Sequence, residues 1–185
     1  MKNRRGQFFL IAAIIIIVVI VGIVTVSNYT EESDAVKLYD LGEELGIESQ
    51  NVLDYGTYSE LNEEEMKGLM ENFIQNYVDY IGDTGNLYFV FGNKNKIYVV
   101  AYQELMSEEV CIKLNPDIDA NAPCVPLQIL KETQEFPATG TEIGKVAIII
   151  EENEYQFKLK EGENFYFVIW QKFGGDKYVV TSEDV

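Results

Sequence analysis

Residues 8–26 are nineteen consecutive residues without a charged side chain, and no other feature constrains the chain as strongly. Nearly all of them are Ile, Val, Leu, Phe or Ala. At about 1.5 Å per residue, a helix of this length spans roughly 30 Å, the thickness of the hydrocarbon core of a bilayer. Because lipid offers no partner to backbone N–H and C=O groups, such a segment has to be helical. The sequence therefore predicts a transmembrane helix over residues 8–26.

A secretory signal peptide is the main alternative for this run. The apolar region of a signal peptide is about 7–15 residues long and ends in small residues of the A-x-A kind. The run here is longer, and its last residues lead into TVSNYT, which is a poor cleavage site. We therefore expect the helix to be retained as an anchor.

Basic residues are distributed unevenly about the predicted span. Lys2, Arg4 and Arg5 precede it, whereas eleven lysines and all thirty-one acidic residues follow it. Because basic flanks stay on the cytoplasmic side, we expect a single-pass protein of the cytoplasmic membrane, with the N-terminus inside and the C-terminal domain outside. An acidic outer domain repels phosphate backbones, so nucleic-acid binding is not expected.

Two further helices are predicted. In TEESDAVKLYDLGEELGIESQ, Leu38, Leu41 and Leu45 recur at helical spacing, and Gly46 is the expected end of that helix. No proline occurs before residue 116, so this helix can continue from the transmembrane helix as a stem.

The second helix is amphipathic. Asn62 and Glu65 have the spacing of an N-cap and its reciprocal acid, and apolar residues then recur every three or four positions until Gly82. This apolar stripe indicates a face that packs on a core.

After Gly82 the hydrophobic period changes to that of strands. LYFVFGNKNKIYVVAY is typical of a hairpin, and VCIKL and VPLQIL are shorter strand candidates. KVAIII, YQFKLK, FYFVIWQK and KYVV indicate a meander, in which FYFVIW is a central strand covered by a helix. All four prolines fall in residues 116–137, which we expect to be irregular.

These elements predict an α+β fold with an N-terminal transmembrane helix, an amphipathic helix and a mainly antiparallel β-sheet head. The expected organisation is a cytoplasmic basic leader (1–7), the transmembrane helix (8–26), a partly helical stem or linker (27–60) and an extracytoplasmic α+β domain (61–185).

Cys111 and Cys124 are the only cysteines, and both fall on the predicted outer side, where disulfides persist. A bridge between them is expected, and closing a loop of about 15 residues is worth roughly 3 kcal/mol in the chain-entropy model. Two buried free thiols are the alternative.

The sequence carries few catalytic signatures. It has no histidine, which removes Ser-His-Asp and Cys-His hydrolases and the usual zinc centres, and it lacks the glycine-rich phosphate-binding motifs. Runs of acidic residues are better explained as solvated surface than as catalytic pairs. We therefore expect no catalytic residues, no cofactor and no enzymatic activity. A carboxylate-dependent ectoenzyme would instead need two acids in one cleft with pKa values pushed apart.

One loop is similar to a calcium-binding loop. NPDIDANAPC carries Asp117, Asp119 and Asn121 at alternating positions, as in the first half of D-x-[DN]-x-[DN]-G. Ala122 replaces the glycine of the turn, and Gln128 replaces the bidentate glutamate. Asp and Asn are also ordinary loop residues, so we expect no metal site here.

The N-terminal stretch KNRRGQFFLIAAIIIIVV resembles the class III signal peptide of archaeal type IV pilin-like proteins. The resemblance implies that prepilin-peptidase cleaves between Gly6 and Gln7, and that the apolar helix stays on the mature chain to pack against the same helix of neighbouring subunits. It also implies a helical stem that leads into a β-rich head. Many pilins carry Glu at the fifth mature position, where this chain has Ile11. The stretch RGQFFLIAAIIII is also similar to surface proteins of small-genome archaea.

We therefore expect a membrane-anchored, non-enzymatic, pilin-like cell-surface protein with an outward-facing acidic head. Its expected partners are membrane lipid and like subunits or other envelope proteins. The alternative is an uncleaved signal-anchor envelope protein whose head binds another protein.

Overall fold

The computed structural model describes residues 16–17, 37–81, 85–102, 110–118, 123–127, 131–173 and 176–184. Ile16 and Ile17 are helical, and the rest of the predicted span lies outside these residues, as does the Gly6–Gln7 junction. Within the described ranges, no helix is both long and apolar enough to cross a bilayer.

The described residues contain two long helical segments followed by nine strands. The helices are α1 (37–58) and α2 (Glu63–Ile81). The strands are β1 (Asn86–Asn93), β2 (Lys96–Tyr102), β3 (Val110–Leu114), β4 (Val125–Pro126), β5 (Gln134–Pro137), β6 (Lys145–Ile150), β7 (Asn153–Lys158), β8 (Asn164–Phe173) and β9 (Asp176–Thr181).

The strands form two antiparallel sheets. Sheet A has the order β5-β2-β1-β8-β9, and sheet B has the order β4-β3-β6-β7. Every strand pair is antiparallel, which confirms the predicted α+β class with an antiparallel head. The predicted hairpin is also confirmed, as β1 and β2 joined by a two-residue turn at Lys94 and Asn95.

The predicted C-terminal meander is wrong. β6 pairs with β7 in sheet B, whereas β8 pairs with β9 in sheet A, and β7 and β8 do not pair. The prediction that FYFVIW is a central strand is confirmed, because β8 lies between β1 and β9. It is apolar on both faces because each face of sheet A packs on another layer.

Sheet A is the middle layer of three. One of its faces packs against both helices, through a core that includes Leu45 of α1, Ile74 of α2 and Phe89 of β1. Its other face packs against sheet B, through a core that includes Val99 of β2 and Ile148 of β6. The helices and sheet B therefore lie on opposite sides of sheet A.

α1 continues past Gly46, so the predicted end of this helix is wrong. The apolar stripe also continues, with Val52 and Leu53 packed on the core that contains Leu45. A glycine inside a helix costs about 1 kcal/mol relative to alanine, which the burial of these two side chains can offset. α1 falls within residues 27–60, the segment predicted as a partly helical stem or linker.

α2 begins with the predicted cap. The side chain Oδ1 of Asn62 accepts a hydrogen bond from the backbone N–H of Glu65 at 3.1 Å, and Oε2 of Glu65 accepts one from the N–H of Asn62 at 3.0 Å. This reciprocal pair satisfies two backbone donors that the helix itself leaves unpaired. The predicted amphipathic stripe faces the core through Met66, Met70 and Ile74.

β5 was not predicted, because it lies in the proline-containing stretch 116–137. It pairs with β2 at the edge of sheet A and buries Phe136 against sheet B. Pro137 is tolerated there because an edge strand has one side without a ladder partner. Of the strand candidate VPLQIL, only Val125–Pro126 forms a described strand.

Asn164 stabilises the connection from β7 of sheet B to β8 of sheet A. Its buried side chain donates from Nδ2 to the carbonyl oxygens of Gly92, Lys160 and Gly162, and its Oδ1 accepts from the N–H of Lys160 at 2.8 Å. This side chain therefore fixes the point at which the chain leaves sheet B and enters sheet A.

Candidate interaction surfaces

α1 is attached to α2 by a polar and a steric contact. The hydroxyl of Tyr77 donates a hydrogen bond of 2.6 Å to the carbonyl oxygen of Leu41. Gly56 lies so close to the thioether of Met66 that a Cβ at Gly56 would come within 2.6 Å of it. Burial raises the pKa of Tyr77, and the negative charges of Glu44 and Glu48 raise it further. The phenol therefore remains a donor throughout the neutral range.

A polar network attaches the first turn of α2 to sheet A. Glu63 accepts hydrogen bonds from Lys96 at 2.6 Å and from the hydroxyl of Tyr98 at 2.9 Å. Lys67 pairs with Glu135 of β5 at 2.9 Å. The ammonium groups of Lys67 and Lys96 lie 5.2 and 5.8 Å from the centre of the Tyr98 ring, within cation–π range.

The charges in this network balance, and both of its carboxyl pKa values move in the same direction. Hydrogen bonds from Lys96 and Tyr98 lower the pKa of Glu63, and the hydrogen bond from Lys67 lowers that of Glu135. A carboxylate-dependent hydrolase needs one raised and one ordinary carboxyl pKa. The contacts of this network therefore attach α2 to sheet A.

The side of α1 that faces away from the core is acidic. We define the acidic face as Asp40, Glu43, Glu44, Ile47 and Glu48, which line a shallow depression along the helix. All five side chains are exposed, and the exposed fraction of Ile47 is 58%. Three exposed tyrosines lie on the same helix: Tyr39, Tyr55 and Tyr58. The acidic face thus combines negative charge with an apolar side chain that is more than half exposed.

The outer face of sheet B is basic at one end. We define the lysine patch as Lys113, Lys145 and Lys158, which alternate with core residues on β3, β6 and β7 and so point away from sheet A. Lys145 lies directly opposite Lys158 in the ladder, and Lys113 lies two positions along the same face.

The lysine patch has one carboxylate partner in the described structure. Lys145 forms an ion pair with Asp117, which lies in the turn after β3. No hydrogen bond or ion pair joins the ammonium group of Lys113 or of Lys158 to another described residue. The patch is therefore a local excess of positive charge on a chain of net charge −17.

Cys111 and Cys124 form a disulfide with a Cα–Cα distance of 5.4 Å. Cys111 lies on the same outer face of sheet B as the lysine patch, two positions before Lys113 on β3. The bridge joins β3 to the segment that enters β4, the short edge strand of this sheet. The disulfide therefore stabilises the β4 edge of sheet B, the sheet that carries the lysine patch.

Trp170, the only tryptophan, lies in the core between the sheets with an exposed fraction of 5%. Lys177 and Lys172 lie 4.2 and 5.5 Å from the centre of its ring. Its indole Nε1 has no hydrogen-bond partner in the described structure. A buried ring cannot stack on a ligand. The two lysine side chains therefore cover the edge of the core at this ring.

The loop that is similar to a calcium-binding loop is described only in part. Asp117 is the partner of Lys145, whereas Asp119 and Asn121 lie outside the described residues. Within the described part of the chain, no group of three or more acidic or cysteine side chains could hold a metal ion.

Neither the acidic face nor the lysine patch was predicted from the sequence. Their signals are present in the sequence, as lysines at outward positions of KVAIII, YQFKLK and VCIKL and acids between the leucines of α1. No family model, curated protein or solved structure matches the chain, so both surfaces are interpreted from their own geometry.

Proposed function

We propose that this chain is a membrane-anchored, non-enzymatic, pilin-like cell-surface protein of archaeal type, with its acidic head outside the cytoplasmic membrane. The observation that carries the proposal is the order of the N-terminal residues: a short basic leader, the Gly6–Gln7 junction, and then nineteen residues without a charge. The transmembrane helix 8–26 holds the subunit in the bilayer, and the acidic head remains in water.

Several features of the head support the proposal. A helix layer on an antiparallel sheet resembles the stem-and-head architecture of the family. A disulfide between Cys111 and Cys124 is chemically suited to an oxidising exterior. The head also presents two oppositely charged surfaces, as expected of a protein that acts by contact rather than by catalysis.

The test is the N-terminal sequence and intact mass of the protein purified from its native membrane. A mature chain that begins at Gln7 supports processing by prepilin-peptidase. A Gly6→Leu variant should then remain uncut, whereas an Asn3→Ala variant of the same leader should be cut normally.

Two other results would contradict this processing. An intact Met1 would favour the alternative, an uncleaved signal-anchor envelope protein whose head binds another protein. The exposed Ile47, Tyr55 and Tyr58 on α1 are the features that favour this second function. A chain that begins near Ser27 would mean that the apolar run is a removed signal peptide.

A further inference from the structure

We propose that the head binds a second copy of itself: the lysine patch on sheet B of one copy docks onto the acidic face of α1 in the next. This inference goes beyond the proposed function, because it requires neither cleavage at Gly6 nor a membrane filament.

The two surfaces belong to different layers of the fold. α1 packs on one face of sheet A, and sheet B packs on the other. The lysine patch and the acidic face therefore lie on opposite sides of the same molecule and cannot meet within one chain. A contact between them is head-to-tail, and such contacts propagate into a chain of subunits or close into a ring.

The fold keeps like charges together on the outer face of sheet B. Lys145 and Lys158 are directly opposed in the ladder, an arrangement that is destabilising without a nearby anion. Asp117 supplies one carboxylate, to Lys145 alone. Lys113 and Lys158 are left for carboxylates from outside the described part of this chain.

A second copy of this chain carries the charge that is complementary to the lysine patch. A second copy presents four carboxylates, those of Asp40, Glu43, Glu44 and Glu48, along one helix around Ile47. Because each copy has a net charge of −17, most approaches of two copies are repulsive. An acidic helix is attracted where it approaches the lysine patch. Charge complementarity therefore also selects the orientation of the two copies.

The test uses charge reversal with restoration, on the full-length chain purified in detergent. The two variants are Lys113→Glu with Lys158→Glu, and Glu44→Lys with Glu48→Lys. In the Lys113→Glu with Lys158→Glu variant, both surfaces are negative and should repel. In the Glu44→Lys with Glu48→Lys variant, Asp40 and Glu43 remain beside two lysines, so the helix has no net charge left to attract the patch. In an equimolar mixture, the unchanged lysine patch of the second variant meets the unchanged acidic face of the first, so association should return.

Contacts are read by cross-linking with a carbodiimide, which joins amines directly to carboxylates that touch them. One variant is labelled with ¹⁵N, so a cross-link between copies is recognised by its mixed isotope mass. The oligomer mass is measured in parallel by light scattering after size exclusion. The matched control for the lysine variant is Lys131→Glu with Lys172→Glu, which makes the same change in net charge at two exposed lysines that belong to neither surface.

The expected result is that wild type forms cross-links between positions 113 or 158 and positions 40–48 of another copy. We expect each variant alone to lose its associated fraction by roughly tenfold, while the mixture regains it and the control retains it. Three results would overturn the proposal: a wild type that stays monomeric at every concentration, an association that survives both reversals, or a mixture that stays dissociated. None of them bears on where the chain is cleaved, so this test and the N-terminal test fail independently.

Discussion

The hydroxyl of Tyr77 in α2 donates a hydrogen bond of 2.6 Å to the carbonyl oxygen of Leu41 in α1. The two residues are 36 positions apart, and the bond fixes the position of α1, which carries the acidic face, relative to α2. The placement of the proposed docking surface thus depends on a buried polar contact as well as on apolar packing.

Replacing Tyr77 with Phe should lower the free energy of unfolding of the head by about 1 kcal/mol, the usual net value of one hydrogen bond. The ring and its packing are kept, so the loss reports the hydroxyl alone. Urea unfolding followed by the fluorescence of Trp170, the single and buried tryptophan, measures it. Tyr80→Phe on the exposed side of α2 is the control and should leave the midpoint unchanged. Equal midpoints for wild type and Tyr77→Phe would contradict the prediction.

Replacing Asn62 with Ala should destabilise the head by about 1 kcal/mol, because the N–H of Glu65 loses its acceptor at the start of α2. Asn62→Asp keeps an oxygen acceptor at the same place and should recover most of the loss. The same urea titration compares the three proteins. If Asn62→Asp is as destabilising as Asn62→Ala, the side-chain oxygen at position 62 does not stabilise the start of α2.

Replacing Cys111 and Cys124 together with Ser should lower the free energy of unfolding by about 3 kcal/mol, as the chain-entropy model gives for a loop near this length. The sequence separation is 13. Urea unfolding with and without reductant provides the measurement. Reductant should shift wild type toward the double variant and leave the double variant itself unchanged; a reductant effect on both proteins would mean that the bridge is not the cause.

Acid should weaken the attachment of α2 to sheet A. The pKa values of Glu63 and Glu135 are lowered in the folded state, mainly by hydrogen bonds from Lys96 and Lys67. A group with a lowered folded pKa stabilises the fold above its unfolded pKa and loses that contribution as the pH falls through the folded value. The free energy of unfolding should therefore decrease as the pH drops below about 4.3, the ordinary pKa of glutamate.

The variant that checks this is Glu63→Gln with Glu135→Gln. It should be less stable than wild type at pH 7 and should depend less on pH between 7 and 3, which urea titrations across that range measure. The control is Glu132→Gln with Glu152→Gln, two exposed positions without an ion pair to another described residue. If wild type and the Glu63/Glu135 variant lose stability in parallel, the network is not the acid-sensitive contact.

Local features of the sequence were sufficient where one element carries its own signal. The cap at Asn62, the stripe of α2 and the β1–β2 hairpin were all predicted from residues within a few positions of each other. Asn62 and Glu65 need only the backbone of one turn to meet, and the hairpin needs only a two-residue turn. Such contacts do not depend on the rest of the chain.

The continuation of α1 past Gly46 and the formation of β5 could not be predicted from neighbouring residues. Gly46 has the sequence properties of a helix end, but Val52 and Leu53 beyond it gain burial against sheet A, and that gain depends on a surface far along the chain. β5 is short and ends in Pro137, so it becomes a strand only because β2 offers an edge to pair with.

The sequence by itself determined the alternation of inward and outward side chains along β7, because the side-chain period of a strand is two, and it determined that both faces of β8 are apolar. It did not determine the sheet to which each strand belongs. Alternation predicts which face of a strand is buried, but not the layer against which that face packs. β7 and β8 lie in different sheets because β1 and β9 pair with β8, whereas β6 pairs with β7. For the same reason, the tertiary structure alone decided that three lysines from three strands form one patch, on the side of sheet A opposite the acidic face of α1.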